Sequence, residues 1–367
     1  MSTCAGSALP QDPLESAKLA GLRYVTATIA GIARRKAGGG WTYLHPDGRP
    51  VRDAAEVQRI KALVIPPAWG KVWICPLPNG HLQALGVDAK GRKQYVYHSR
   101  YREIRDATKY SRMHSFGAVL PKMRLRVEED LQLKGLPRTK VLAAVVRLLE
   151  RISVRVGNEE YARANDSYGI TTLRNNHVDM EGRKLHFHFI GKSKKQHDIE
   201  LTDRRLARIL AQCQELPGQE LFQFLNEAGE PCRLCSDDVN SYLREISGED
   251  FTAKDFRTWN GSREAILALY EAGPASTATD AKKKVAEAVK TVAAVLRNRP
   301  AVCRKYYIHP AVLDAFEDGS LFPIFDKAAE DPSPHGLNRA ETAFVNMLAS
   351  YSPPVMVRKS RISNRAA

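Results

Sequence analysis

Two adjacent tyrosines, Tyr306 and Tyr307, lie in the stretch from Asn298 to Pro310, NRPAVCRKYYIHP. A tyrosine hydroxyl acts as a nucleophile only when its surroundings activate it, because a free phenol with a pKa of about 10 is protonated at neutral pH. Cationic helpers stand in three distinctive strings: Arg155 in ISVRVGNEEYARAND, Lys192 in FIGKSKKQHD and Arg257 in AKDFRTWNGS. Asn298 adds an amide donor at the head of the tyrosine stretch. This is a set that could transfer a phosphodiester to a hydroxyl without a metal. Arginine's planar, always-charged fork bonds phosphate bidentately. Two such forks and an amide would stabilise charge on the non-bridging oxygens. A lysine desolvated among other cations loses pKa and can protonate a leaving alkoxide. Singly, each residue has a plainer reading: most tyrosines are half-buried packing residues with a bonded hydroxyl, and most arginines and lysines are solvated surface charges.

These side chains need elements to hold them, and the expected architecture is α+β. Residues 1–18 are rich in Pro, Ser and Ala and are expected to be disordered. A small strand-rich domain is expected over 19–105, with strands at 24–28, 41–44, 72–75 and 81–87, a turn at PDGRP and a short helix at 54–63. In GRKQYVYH, Tyr95 and Tyr97 would share one strand face. Arg92, Lys93, His98, Arg100 and Arg102 surround them, and aromatics among basic residues suit phosphate plus groove or sugar contact. The plainer reading is a half-buried strand with a basic rim. A basic helix, or helix pair, over 100–126 would lead into a larger, mostly helical domain spanning 106–350, with a basic tail at 351–367. Apolar spacing predicts helices at 139–152, 204–226, 236–245, 257–270, 280–297, 311–316 and 340–348. Period-2 alternation predicts strands at 177–180, 184–190 and 196–201, so Lys192 would sit in a hairpin loop, on a mobile arm.

Composition narrows the partners. The chain has 367 residues, enough for one large domain or two ordinary ones, and its 43% hydrophobic content suffices for a core. Its formal net charge is +15, spread along the chain. A basic folded body suits a polyanion, most simply nucleic acid, with a ribosome- or membrane-surface protein as the alternative. No apolar run is long enough to span a bilayer, and the start lacks the features of a signal peptide, so a cytoplasmic location is expected. Cys232 and Cys235 form a lone CxxC without a second pair at zinc-site spacing, and reduced thiols are expected. GKS at 191–193 resembles the end of a P-loop, but His186 stands where the pattern needs glycine. His186 and His188 have ligand chemistry, but no carboxylate-bearing motif accompanies them, so neither metal nor cofactor is expected.

Several strings occur together in fixed order: IPPAW, VWICP, GRKQYVYH, RVGNEEYARANDSYGITTLR, GKSKKQH, KDFRTW and CRKYYIHP. This series resembles the poxvirus-type, bacterial branch of type IB DNA topoisomerases, over residues 21 to about 348. The resemblance implies a DNA-binding N-terminal domain, a catalytic domain of the tyrosine recombinase/topoisomerase IB type, double-stranded DNA as partner, a monomer, and a place at the nucleoid. It implies that Tyr307 is the nucleophile and forms a 3′-phosphotyrosyl enzyme. Arg155 and Arg257 would clamp the scissile phosphate, and Lys192 would protonate the departing 5′-oxygen with help from Arg155. Asn298 would donate to a non-bridging oxygen, where some family members carry histidine. Gln94, Tyr95, Tyr97, Tyr161 and Lys254 would contact DNA. The implied reaction needs no ATP, because the covalent link keeps the bond energy while the free strand rotates and supercoils of either sign relax.

One departure stands out. The family usually has serine before the reactive tyrosine, and here it is Tyr306. Alignment on IHP favours Tyr307, with Tyr306 as the rival. Tyrosine recombinases are the nearest alternative; they usually carry histidine three positions before the second arginine, where this chain has Lys254. A non-catalytic DNA-binding protein on the same scaffold is the other.

Overall fold

Apolar side chains alternate weakly in the first hundred residues, yet they suffice for an antiparallel sheet with one buried face. A computed structural model of the chain describes residues 10–351. Its first unit contains α1 (Pro13–Leu19), β1 (Ile32–Ala37), β2 (Gly40–Leu44), α2 (Ala54–Ala62), β3 (Gly70–Ile74), β4 (Leu82–Val87) and β5 (Lys93–Tyr97). The five strands pair antiparallel in the order β2-β1-β3-β4-β5. Ile32, Val72, Ile74 and Ala84 meet Ile60 of α2 in the core beneath the sheet.

Two expectations fail here. Residues 24–28 form no strand: Arg23 makes a single bridge to Gly80, and Thr26 and Thr28 bond each other through their hydroxyls. Such local side-chain bonds offer the backbone an alternative to a ladder. The place in the sheet goes to β1, whose sequence IARRKA hid it because only Ile32 is buried. The N-terminus is also not disordered throughout. Asp12 accepts from Glu15 N, Pro13 opens α1, and Ala17 packs with Ala20, Leu22, Tyr101 and Ile104. Residues 1–9, and the tail apart from Tyr351, lie outside the described residues.

A 32-residue helix, α3 (Ser99–Asp130), follows, and the two compact units divide inside it, between Ser111 and Arg112. The second unit is mostly helical. After α4 (Arg138–Ile152) and α5 (Glu159–Asn165) come the antiparallel strands β6 (Val178–Glu181), β7 (Lys184–Gly191) and β8 (Lys195–Thr202). Next are α6 (Arg204–Gln214), the small hairpin β9 (Gln223–Leu225) and β10 (Pro231–Arg233), and α7 (Ser236–Ser247). The expected helix over 204–226 stops at Gln214, because Leu216 precedes Pro217 and is pushed out of helical backbone. The chain then forms α8 (Ala253–Ala272), α9 (Ala278–Val295), α10 (Pro300–Tyr306), α11 (Pro310–Glu317), α12 (Leu321–Lys327) and α13 (Arg339–Ser350).

Helices α4 and α8 run through the core of this unit, and Trp259, Phe116, Phe256 and Phe344 fill it. A charged group buried in such a core needs partners, and the carboxylate packed against Trp259 has them. Glu341 is fully buried and bonds both Arg124 (2.7 Å) and Trp259 Nε1 (3.0 Å), and Arg124 also bonds Glu150 (2.6 Å).

Candidate active site

Arg257 sits in the first turns of α8. Thr252 N donates to Asp255 Oδ2 (2.8 Å), a reciprocal cap that fixes the helix start. Only 3% of Arg257 is exposed. Its Nη1 donates to the carbonyl of Ser153, and its Nη2 to that of Leu296 (2.9 Å). Its Nε has no bonding partner among the described residues. Burial, then the neighbouring Arg155 cation, lowers its pKa, but a guanidinium stays charged at neutral pH.

Arg155 lies on the loop after α4. That helix ends with Ser153 in the left-handed region (φ 54°). Two glycines then set the path. Gly157 has φ 110°, and a Cβ on Gly169 would stand 2.6 Å from both the Arg155 carbonyl oxygen and Gly157 Cα. Backbone therefore touches backbone, and Ile170 N (2.9 Å) and Thr171 N (2.7 Å) bond the carbonyls of Arg155 and Val156. The loop so held aims the Arg155 Nη1 at Tyr307 Oη, 3.2 Å away.

Tyr307 is the residue at which α10 ends, and its N–H still bonds the Cys303 carbonyl (2.9 Å). The IHP string explains the stop. His309 Nδ1 accepts from Ala311 N (3.0 Å) and Pro310 opens α11. The His309 N–H donates to Ser262 Oγ on α8 (2.9 Å). One turn from Arg257, Gly261 leaves room for the Tyr307 carbonyl, which would lie 2.5 Å from a Cβ there. Helix α8 thus carries Arg257 and seats the tyrosine's backbone. The Arg257 guanidinium lies 5.0 Å from the Tyr307 ring centre. Burial pushes the Tyr307 phenol up, but the charges and hydrogen bonds of Arg155 and Arg257 outweigh it, and the net shift is downward. Tyr306 is placed differently: it is 37% exposed, and the Lys305 ammonium lies 5.2 Å from its ring.

A cavity of about 330 Å³ opens beside the two arginines, lined also by Gly157, Tyr161, Lys192 and Lys254. Lys192 starts the tight turn between β7 and β8, where Ser193 (φ 65°) and Lys194 (φ 58°) are both left-handed. The arm is tied near its tip, since Lys194 Nζ donates to the Asn165 carbonyl (2.8 Å). Tyr161 is held by Asn158, which caps α5 by accepting from its N–H (2.8 Å). The Lys192 ammonium lies 6.0 Å from the Tyr161 ring. Asn298 is not in the cavity lining, but it follows Leu296, the acceptor of Arg257. Its Oδ1 accepts from Arg299 N (2.9 Å), and its buried Nδ2 has no partner among the described residues.

Gln94, Tyr95 and Tyr97 belong to the other unit, on β5. The rings of Tyr95 and Tyr97 stack on its exposed face with centres 6.0 Å apart. Gln94 points to the opposite, half-buried face and donates to Asp88 Oδ2 (3.0 Å). Sequence reasoning missed the positioning residues Gly157, Gly169, Gly261, Ser262 and His309, although the glycines all fall inside the quoted strings. It also missed His197 of β8. That imidazole stacks on Phe189 (4.5 Å) and presses on Gly191, where a Cβ would meet its Nε2 at 2.5 Å. Burial first, then Arg297, Arg257 and Arg155, pushes its pKa down to about 4, so it is neutral at physiological pH.

Comparison with known proteins decides the family. A profile described as "Eukaryotic DNA topoisomerase I, catalytic core" matches residues 98–321, and one described as "Bacterial DNA topoisomerase IB, N-terminal domain" matches residues 40–88. The mimivirus protein "DNA topoisomerase 1B" is 31% identical over 311 residues, covering 83% of this chain and 92% of that one. The chain belongs to the type IB DNA topoisomerase family. Type IB DNA topoisomerase activity follows, and DNA is the substrate. This topoisomerase is also 21% identical to the vaccinia virus (strain Copenhagen) "DNA topoisomerase 1B" over 67% of its own length and 76% of the viral chain. It is 26% identical to the Drosophila melanogaster "DNA topoisomerase 1" over 48% of its length and 18% of the fly protein. Among the described residues, no helix of the topoisomerase is long and apolar enough to cross a membrane.

Proposed function

We propose that this topoisomerase cuts one strand of duplex DNA with Tyr307, using Arg155, Arg257, Asn298 and Lys192. The observation that carries the reading is the Arg155 guanidinium on Tyr307 Oη, with Arg257 against the same ring. These cations favour the phenolate, the form that attacks. The Tyr307 oxygen bonds to phosphorus while the P–O5′ bond breaks, and its electron pair goes to O5′. Lys192 gives O5′ a proton, and the 3′-phosphate is left on the tyrosine. The arginines hold the charge that builds on the non-bridging oxygens. The unpaired donors Arg257 Nε and Asn298 Nδ2 suit the same task, since a buried donor without a partner is costly until a ligand supplies an acceptor. Religation is the same step reversed, so no ATP is consumed. Between the two steps the free strand turns, and supercoils of either sign relax.

The remaining roles are binding roles. Tyr161 and Lys254 line the cavity beside the arginines and would meet the DNA near the cut. Tyr95 and Tyr97, with Lys93 on the same exposed face, suit contact with backbone and groove, whereas Gln94, on the opposite face and bonded to Asp88, would have to turn from that partner to reach DNA. Residues 19–105 act as a DNA-binding domain and 106–350 as the catalytic domain of a monomer in the cytoplasm, at the nucleoid. Binding should weaken steeply with salt, as phosphate contacts release counterions. The test is to denature the topoisomerase during cleavage of a labelled duplex, digest it, and sequence the DNA-linked peptide by mass spectrometry. A 3′-phosphate on Tyr307 is expected. A link to Tyr306, a 5′ linkage, or no adduct would overturn the proposal.

A further inference from the structure

The strand-alternation that buries Leu185, Phe187 and Phe189 puts His186 and His188 together on the opposite face of β7. Sequence spacing showed no carboxylate near them. The sheet supplies several. Asp179 of β6 stands directly across from His186. On the other side, β8 places Glu200 across from His186 and Asp198 across from His188. Asp179, His186 and His188 each offer a ligand atom, and these atoms all lie within 4.8 Å of one another. Asp179 Oδ2 and His188 Nδ1 are 3.3 Å apart. Ligand atoms of a tetrahedral site with bonds of about 2.0–2.2 Å are separated by about 3.3–3.5 Å, so this pair already has the right spacing. Asp198 Oδ1 lies 2.7 Å from His186 Nε2. Metal-bound imidazoles usually have a carboxylate on their second nitrogen, which fixes the ring and raises its basicity.

We propose that Asp179, His186 and His188 form a binding site for a divalent transition metal, with Asp198 orienting His186. Two imidazoles and one carboxylate select zinc, copper or nickel over magnesium and calcium, which prefer all-oxygen shells. Three protein ligands leave a fourth position for water or another donor. The side chains are between 41% and 73% exposed, so an ion reaches them without opening the fold. Exposed ion pairs such as these are worth little on their own, so small rotations toward a metal sacrifice little. The ligands come from two neighbouring strands, and a bound ion would clip β6 to β7 four residues before Lys192. The site is chemically separate from the tyrosine and arginines, and its existence does not depend on their proposed roles.

The test uses the full chain with Cys232→Ser and Cys235→Ser, so that the two thiols of β10 and its exit do not compete. Zinc is titrated calorimetrically in a chelator-free buffer, and copper is added for electron paramagnetic resonance. One equivalent of zinc at micromolar affinity is expected, with the copper spectrum showing coupling to two nitrogens. His186→Asn with His188→Asn should abolish the zinc isotherm, and Asp179→Asn should weaken it about tenfold to a hundredfold, while the melting temperature stays put. An isotherm unchanged by the double histidine variant would overturn the proposal. So would the absence of binding in the parent protein, or a copper spectrum without nitrogen coupling.

Discussion

Gly261→Ala places one methyl group where the backbone of Tyr307, the proposed nucleophile, rests. A Cβ at this position would lie 2.5 Å from the Tyr307 carbonyl oxygen and 3.2 Å from Leu296 Cδ1. The leucine methyl can rotate, but the carbonyl belongs to the turn between α10 and α11, which His309 and Ser262 hold. An ordinary carbon contact is about 3.5 Å, so the tyrosine backbone must retreat by on the order of 1 Å. Stability should change little. Alanine favours the α8 helix by about 1 kcal/mol over glycine, and local overpacking costs about 1–3 kcal/mol. Chemistry should change much more. A misplacement of about 1 Å costs about 10²-fold in rate, or about 2.7 kcal/mol of transition-state stabilisation. The assay is single-turnover cleavage on a duplex whose short downstream strand dissociates once cut, beside a thermal melt and a DNA-binding isotherm. The expected result is cleavage about a hundredfold slower, unchanged DNA affinity and a melting temperature within about 6 °C of wild type. Cleavage within threefold of wild type by the folded variant would refute the reasoning.

Three further outcomes follow from the same contacts. Arg155→Ala should slow cleavage by about 10²–10³-fold; with one cation gone the Tyr307 phenol should ionise at higher pH, and the rising limb of the cleavage profile should move up, whereas an unmoved profile would count against the contact. Glu341→Gln should lower stability in denaturant melts by about 3 kcal/mol, the low end for breaking a buried pair, because Arg124 keeps Glu150. Burial would raise the Glu341 carboxyl, but Arg124 outweighs it and holds its pKa below 4.5, so its contribution is complete above pH 4.5 and fades below it, and Gln should flatten that acid limb. His197, with its pKa held near 4 by burial, stabilises the fold fully above pH 6.5 and loses that contribution as pH falls toward 4; melts of His197→Asn should show a shallower fall over that window.

The sequence carried the chemistry further than the geometry. Arg155, Lys192, Arg257, Asn298 and Tyr307 stand out in the sequence because each sits in a distinctive string, and the structure brings Arg155 and Arg257 against Tyr307. The three-stranded sheet was readable too, since Leu185, Phe187 and Phe189 alternate cleanly. Less was legible where long-range packing overrides local pattern. Strand β1 is mostly exposed and basic, so it lacks the apolar signature of a strand. Helix α1 is fixed by its cap and by burial of Ala17 against distant residues, which a Pro/Ser/Ala-rich composition conceals. The glycines that seat Arg155 and Tyr307 show their purpose only when the backbone on the far side is known. For the same reason the carboxylate beside His186 and His188 was invisible: it comes from across the sheet, seven residues before His186.

The most direct measurement is relaxation of supercoiled plasmid in EDTA without ATP, with wild type, Tyr307→Phe and Tyr306→Phe side by side. Tyr307 receives the Arg155 contact, and Tyr306 faces solvent beside Lys305. Wild type and Tyr306→Phe should relax the plasmid, and Tyr307→Phe should leave it fully supercoiled. Relaxation by Tyr307→Phe would contradict the account.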